Sequence, residues 1–327
     1  MEIKQKIIDL SFSAVMNYLV LSDRLHKNAI AHLVKKYWVN NGDLSYYKHF
    51  EYWEENGFHI TPNHFYQPIP DTRSLTKKSF RRKYSLENIN LSPGRQQDLL
   101  RKFRRYDSEL RRIPNKPLKE NSGFHFNNYA FDGLDASVYY SMIREFKPKT
   151  IIEAGSGWST RIASLAIEEN SQHKTELISI EPYPLYFLKS IPNLTKLIKK
   201  KVEKIDIKEI DKLTKNDIFF IDTSHVVRTG GDVNFLILEI LPKIKKGVLI
   251  HIHDIFIPSE YPEQWVKKEH RFWTEQYLVY AFLMYNKSFE VIMANSYLSE
   301  EEESEVKSTF TAPSRPAGGA SLWLRKV

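Results

Sequence analysis

The sequence predicts an α/β domain built on a seven-stranded, mostly parallel sheet with one antiparallel strand inserted at its edge, preceded by a helical N-terminal extension. Three observations lead there. From about Lys147 onward, short apolar runs alternate with amphipathic stretches. A glycine-rich turn follows the first of those runs. Two apolar runs close the chain together, after the last amphipathic stretch. Alternating strands and helices place a parallel sheet between helical layers, and the closing pair suits an antiparallel insertion at the edge.

The elements follow in order. Apolar positions at helical spacing (Ile7, Leu10, Val15, Tyr18, Leu19, Leu25, Ile30, Leu33, Val34) predict one or two amphipathic helices over residues 1–40. Residues 41–72 are aromatic-rich, and Pro68 and Pro70 favour an extended segment there. A helix is expected near Arg95–Arg112, ending before Pro114 and Pro117. Strands are expected at Thr150–Ala154, Glu176–Glu181, Leu197–Ile205, Asp217–Asp222, Gly247–Asp254, Phe289–Ala294 and Ala320–Arg325. Helices are expected from Ser159 to about Glu169, from Asp232 to about Ile244, and over Trp273–Tyr285. Ser299–Pro316, with glutamates at 300–303, reads as an exposed loop. The organisation expected is an accessory region over 1–120 and a nucleotide-binding α/β domain over 121–327.

Composition narrows the class. Of the 327 residues 42% are hydrophobic, with 19 Phe, 18 Tyr and 6 Trp, so a packed core is affordable and disorder is excluded. Cysteine is absent, which removes disulfides, thiolate metal centres and cysteine nucleophiles. No run reaches the ~18–20 apolar residues of a membrane span, and Asp9 interrupts any signal-like core near the N-terminus. A soluble, cytoplasmic protein is expected. Net charge is +8, yet Arg73 to Lys119 alone holds 15 Lys/Arg against 4 Asp/Glu. Such a block can attract phosphate, nucleic acid, anionic lipid or an acidic glycan, or simply form a solvated helical face. No Arg-Gly repeat or interleaved aromatic pattern supports nucleic acid.

The turn Glu153-x-Gly155-x-Gly157-x-Ser159-Thr160 lies between a strand and a helix. Glycines there allow tight backbone and close ligand approach, and Ser159 and Thr160 can cap the helix. The second strand ends in Glu181, placed to accept the ribose hydroxyls of an adenine nucleoside. A dinucleotide fingerprint would have a third glycine where Thr160 stands. Glu153 ahead of the glycines would repel pyrophosphate and suit a cation. The turn therefore favours S-adenosylmethionine, whose ammonium and sulfonium are positive.

With these residues in view, the stretch from about Phe126 to Val327 resembles the bacterial class I S-adenosylmethionine-dependent methyltransferases associated with glycan and surface-polysaccharide biosynthesis. The matching pieces are Lys149-Thr-Ile-Ile-Glu-Ala-Gly-Ser-Gly-Trp-Ser-Thr160, Ile180-Glu-Pro-Tyr183, Phe220-Ile-Asp-Thr-Ser-His225, His251-Ile-His-Asp-Ile-Phe256 and Gly319-Ala-Ser-Leu-Trp-Leu324. His64-Phe-Tyr-Gln-Pro-Ile-Pro-Asp71 resembles the leader of the same group. The resemblance implies a Rossmann-like fold and cofactor contacts from Glu153, Gly155, Gly157 and Glu181. Ser159, Thr160 and Asp222 are expected beside the same cofactor.

A sugar hydroxyl is a poor nucleophile and needs a base or a metal to take its proton. Asp222, Ser224, His225, His253 and Asp254 fall at the carboxyl ends of the fourth and fifth strands, where the methyl group would be. His225 or His253 could serve as base, since free imidazole titrates near neutrality. Period-2 alternation puts His251 and His253 on one face of the fifth strand, with His253 nearer its end. Asp254 joins them as a candidate catalytic group. Asp222 and Asp254 could alternatively bind Mg²⁺ or Mn²⁺, with His253 beside them. Pro258–Trp265 is a candidate acceptor wall, and Arg228 and the basic block are candidates for an anionic acceptor.

The expected activity is O-methylation of a glycan, a nucleotide sugar or a similar hydroxylated metabolite. Two rivals stand beside it: an RNA or protein methyltransferase gripping through the basic block, and a non-catalytic scaffold keeping the fold.

Overall fold

The computed structural model describes residues 20–34, 50–117, 123–312 and 318–327. The chain divides into two compact units, Met1–Ser74 and Leu75–Val327. In the first, residues 20–34 are helical, and the rest of the helical expectation over 1–40 lies outside the described residues. Phe50–Glu55 adds a short helix. Residues 64–72 form turns instead of a continuous extended segment.

The second unit carries the sheet. Its strands are β1 (Thr150–Ala154), β2 (Glu176–Ile180), β3 (Leu194–Ile198), β4 (Ile218–Ile221), β5 (Leu249–Ile252), β6 (Phe289–Ala294) and β7 (Leu322–Lys326). The spatial order is β3-β2-β1-β4-β5-β7-β6. The first five strands run parallel, and β7 inserts antiparallel between β5 and β6. The sequence expectation of seven strands with one antiparallel insertion therefore holds, and this is a class I methyltransferase-type, Rossmann-like sheet. The third strand starts and ends earlier than expected, at Leu194–Ile198.

Alternation along each strand feeds two cores. Ile151 and Leu249 face one, with Phe103, Leu134, Tyr139 and Trp323. Ile152, Ala154, Ile250 and Ile252 face the other, with Leu236 and Ile237. A buried helix that the periodicity did not reveal, Gly133–Phe146, covers the first face. Residues Gly133 to Ile143 are all buried, so no polar stripe marks it. Asp132 caps it by accepting the Gly133 N–H at 2.6 Å.

From Leu75 onward the basic segment belongs to this unit. Helix Pro93–Phe103 starts on Pro93, whose missing N–H costs nothing there, and buries Leu99, Leu100 and Phe103 in the core beneath the sheet. Gln96 accepts the Ala294 N–H at 2.9 Å, joining the helix to the end of β6. The boundary expected at 120/121 thus falls within a compact unit that starts at Leu75.

One expectation is corrected and another is refined. The part of Ser299–Pro316 within the described residues is not an exposed loop: helices Asn295–Glu301 and Glu303–Thr309 occupy most of it, and Val306 and Phe310 are buried, while residues 313–316 lie outside the described residues. Apolar anchors at 306 and 310, four apart, outweigh the glutamate run. The helix from Asp232 widens to π-type turns over Phe235–Ile240 before Leu241–Lys243. Among the described residues, no helix is long and apolar enough to cross a membrane.

Candidate active site

In an open parallel sheet the carboxyl ends of the strands share one edge, and ligands bind outside it. Here that edge holds a cavity of about 390 Å³. It is lined by Gly155 after β1, Glu181 to Tyr183 after β2, Lys201 to Glu203 after β3, and Asp222 to Ser224, Arg228 and Asp232 after β4.

Gly155 is required by close approach of two backbones. Its φ is +85°, and a Cβ there would lie 1.7 Å from the Asp222 carbonyl oxygen. The bare turn keeps β1 and β4 together at the cavity floor. Glu181 is held by the backbone: its carboxylate accepts the Tyr183 N–H at 2.8 Å and the Ser156 N–H at 3.3 Å. Asp232 fixes the opposite wall by accepting the Ser224 N–H at 2.8 Å and the Ser224 hydroxyl at 2.7 Å.

Beside the cavity lies a closed cluster. His225, just past β4, is buried and takes a left-handed backbone with φ +59°. Its Nδ1 lies 2.8 Å from Glu275 and its Nε2 3.2 Å from Asp222, with Asp254 at 3.7 Å. The His225 carbonyl accepts the N–H groups of Thr274 and Glu275, and Trp273 packs against the ring at 4.3 Å. Asp254 also has positive φ, +55°. Such backbone strain in non-glycine residues collects where side chains must be aimed.

The charges follow from this packing. Burial pulls the His225 imidazole toward neutrality, but a carboxylate at each ring nitrogen outweighs it and raises the pKa well above the usual value. Burial likewise works against charge on Asp222, yet His253 and the bond from His225 bring it down to about 2. Asp254 moves up, chiefly by burial. His253 moves up because Asp254 and Asp222 outweigh its own burial.

Residues 152–255 match the family model described as a methyltransferase domain, a span running from β1 past the end of β5. The chain is 30% identical over 173 residues to an uncharacterized protein of Archaeoglobus fulgidus, covering 50% of this chain and 78% of that one. The chain belongs to one family with that archaeal protein and carries a methyltransferase domain over residues 152–255. Solved structures of CmcI also resemble it. The apo form matches at 16% identity with TM-score 0.33, covering 60% of this chain and 72% of that one. The Mg-SAM form matches at 15% and 0.31 over the same shares, and the SAH form at 15% and 0.33 over 66% and 96%.

Methyltransferases of this class take their methyl group from S-adenosylmethionine, and the cavity suits that ligand. Glu181, Glu203, Asp222 and Asp232 outnumber Lys201 and Arg228 on its walls, which favours a cationic nucleoside over a diphosphate. Ile180, Pro182 and Val202 supply apolar surface for an adenine, and Tyr183 stands exposed at the rim.

The expected cofactor residues divide in two. Gly155, Glu181 and Asp222 line the cavity. Glu153, Gly157, Ser159 and Thr160 do not; they build the turn behind it. Glu153 is fully buried, accepting the Thr160 hydroxyl at 2.5 Å and the Tyr139 hydroxyl at 3.1 Å. Thr160 Oγ1 in turn accepts the Gly157 N–H at 3.0 Å, satisfying the helix start. Burial, the largest influence, raises the Glu153 pKa to about 7 against the hydroxyl bonds. The turn's acid therefore braces the turn from within.

Of the proton-handling candidates, His225 Nε2 and Asp254 lie 3.7 Å apart. His253 continues the β5 ladder, donating its N–H to the Ile221 carbonyl at 2.9 Å, and packs its ring 5.0 Å from Phe131. His251 is fully buried on Phe220 at 4.0 Å, and burial keeps its pKa well below normal. Among the described residues no group of three or more His, Asp or Glu side chains is arranged to hold a metal ion. The point on which the expected metal carboxylates, Asp222 and Asp254, converge is taken by His225 Nε2.

Sequence reasoning missed Glu275, 50 residues beyond His225 and the nearest group to its ring. One acid on a helical stretch carries no local signal. The substitute signal is its burial at the first turn of helix Glu275–Leu283, a place where an isolated charge needs a partner.

Proposed function

We propose that the protein O-methylates a hydroxyl on a glycan, a nucleotide sugar or a related hydroxylated metabolite. The observation that carries this reading is the double role of Asp222, which lines the cofactor cavity and bonds His225 of the neighbouring cluster. The donor pocket and a set of proton-handling groups therefore share a wall, as in-line transfer to a hydroxyl requires. S-adenosylmethionine supplies an electrophilic methyl group on a sulfonium.

The chain's residues then divide the work. Glu181 accepts the ribose hydroxyls, and Asp222 faces the positive end of the cofactor. His225, with a carboxylate at each nitrogen, carries its proton already and holds Asp222 and Asp254 in place. The acceptor's proton passes to Asp254 or His253; burial makes the Asp254 carboxylate a stronger base than a free one. This modifies the simplest assignment, in which His225 itself would be the base.

A divalent cation is a second reading, favoured by the convergence of Asp222 and Asp254 on one point. Those two carboxylates would hold Mg²⁺, and the His225 ring would have to withdraw. Activity that survives exhaustive chelation eliminates it.

Calorimetry and turnover test the main reading. Glu181→Ala should weaken S-adenosylmethionine binding by about tenfold or more, from loss of charge-assisted hydrogen bonds. Asp254→Asn should lower turnover by about a hundredfold while leaving cofactor affinity within about twofold. Unchanged affinity in the first variant, or full turnover in the second, removes the corresponding role.

A further inference from the structure

The cations of the basic block fall into two sets. Those on the Pro93–Phe103 helix and just after it are neutralised inside the fold. Arg95 pairs with Glu290, Arg104 with Glu305 at 2.8 Å, Arg105 with Glu145, and Arg112 with Glu169 at 2.8 Å. Upstream, Lys77, Lys78, Arg81 and Arg82 are exposed, and among the described residues they have no acidic partner. Like charges placed this close repel one another, so the fold itself gains nothing from the grouping.

Their arrangement is concave. Lys78, Arg81, Arg82 and Lys83 line an open basin together with Thr76 and Ser79, and no carboxylate lines it. Lys83 pairs with Glu300 at 2.8 Å and Glu301 at 3.5 Å, and the Arg82 guanidinium lies 5.1 Å from the centre of the Tyr84 ring, a contact that leaves its charge unneutralised. The basin is anchored to the loop that leaves β5. Tyr84 donates its N–H to the Pro258 carbonyl at 2.9 Å, Lys83 bridges Ser259, and the Tyr84 hydroxyl bonds Glu260. That loop begins at His253 and includes Asp254. The unneutralised cations therefore hang on the segment that leaves the proton-handling cluster.

We propose that this basin binds the diphosphate of a phosphorylated acceptor, such as a nucleotide sugar. Two neighbouring guanidinium forks, an ammonium and hydroxyl donors match a ligand with several anionic oxygens, and exceed what one carboxylate could use. A gripping surface for RNA needs a longer basic stripe, and here the next cations along the chain are already paired within the fold. Assigning the anion to the acceptor rests on the O-methyltransferase reading. The anion site itself does not.

The test titrates inorganic pyrophosphate into the full-length protein by calorimetry at constant ionic strength. The wild type should show one saturable site. The variant Lys78→Ala/Arg81→Ala/Arg82→Ala should bind at least about tenfold more weakly, with an unchanged melting temperature because all three side chains are exposed. Arg81→Lys/Arg82→Lys, which keeps charge but loses the forks, should fall between the two. S-adenosylmethionine affinity should stay the same in every variant. If the wild type fails to bind S-adenosylmethionine, the cofactor reading fails while the pyrophosphate result still stands. Absence of saturable pyrophosphate binding, or equal binding by the alanine variant, overturns the proposal. So does binding of phosphatidylglycerol vesicles or an RNA oligonucleotide without pyrophosphate binding.

Discussion

The cofactor cavity and the His225 cluster meet at Asp222, yet they are built in opposite ways. The cavity is open, and its acids are braced by backbone N–H groups so that carboxylate surface remains for a ligand, as at Glu181. The cluster is closed on itself: each nitrogen of His225 already faces a carboxylate, and the ring is sealed under Trp273. A site that receives a ligand keeps polar capacity in reserve, whereas one that sets protonation spends that capacity internally. Changes on the cavity side should appear in affinity and backbone stability. Changes in the cluster should appear in turnover and pH response.

The largest expected effect lies under the cavity. Gly155→Ala forces a Cβ to within 1.7 Å of the Asp222 carbonyl and places an L side chain at φ +85°. Neither can relax without separating β1 from β4, so a loss of about 4 kcal/mol or failure to fold is expected. Denaturant unfolding measures it. A loss below about 1 kcal/mol would show that the two regions are not locked together at this floor.

The second probe separates the turn from the ligand. Glu153 rises from its ordinary 4.5 to about 7 because it is fully buried. The folded state therefore binds a proton that the unfolded state has released between those values, so stability falls as pH rises from 4.5 to 7. The shift corresponds to roughly 3 kcal/mol of burial penalty above pH 7. Glu153→Gln should flatten that part of the stability profile and leave S-adenosylmethionine affinity nearly intact. A large loss of affinity with an unchanged profile would return Glu153 to the ligand-binding set, where the sequence pattern had put it.

The contrast between the two regions also explains what the sequence could reveal. The sheet was legible because Ile218–Ile221 is a continuous apolar run, and Thr150–Ala154 and Leu249–Ile252 are short runs rich in isoleucine, as suits strands buried on both faces. Gly155 and Glu181 were legible because their spacing from those runs is fixed by the βα turn. Helix Gly133–Phe146 was not, since burial on every side erases the helical period. At Glu153 a pattern shows that an acid stands there, but not that Tyr139 and Thr160 bond it. Glu275 was invisible, because its partner lies 50 residues away and only the tertiary fold joins them.

Glu275 offers the finest probe of the closed cluster. It is fully buried, and its contact with His225 Nδ1 at 2.8 Å is one of the two that keep the ring charged. A histidine with a raised folded pKa adds stability that is fully present below its unfolded value, about 6.5, and lost as pH climbs through the folded one. Glu275→Gln removes one of the two carboxylates, so that loss should begin at lower pH, and the His225 imidazole followed by NMR should titrate lower in step. Turnover should fall by about tenfold to a hundredfold through misplacement of Asp222 and Asp254, with S-adenosylmethionine affinity nearly unchanged. Glu275→Asp, which restores charge on a shorter arm, should recover part of the imidazole shift. An unaltered His225 titration in Glu275→Gln would mean that Asp222 alone holds the proton, and the cavity wall, not the closed cluster, would then set the protonation of the site.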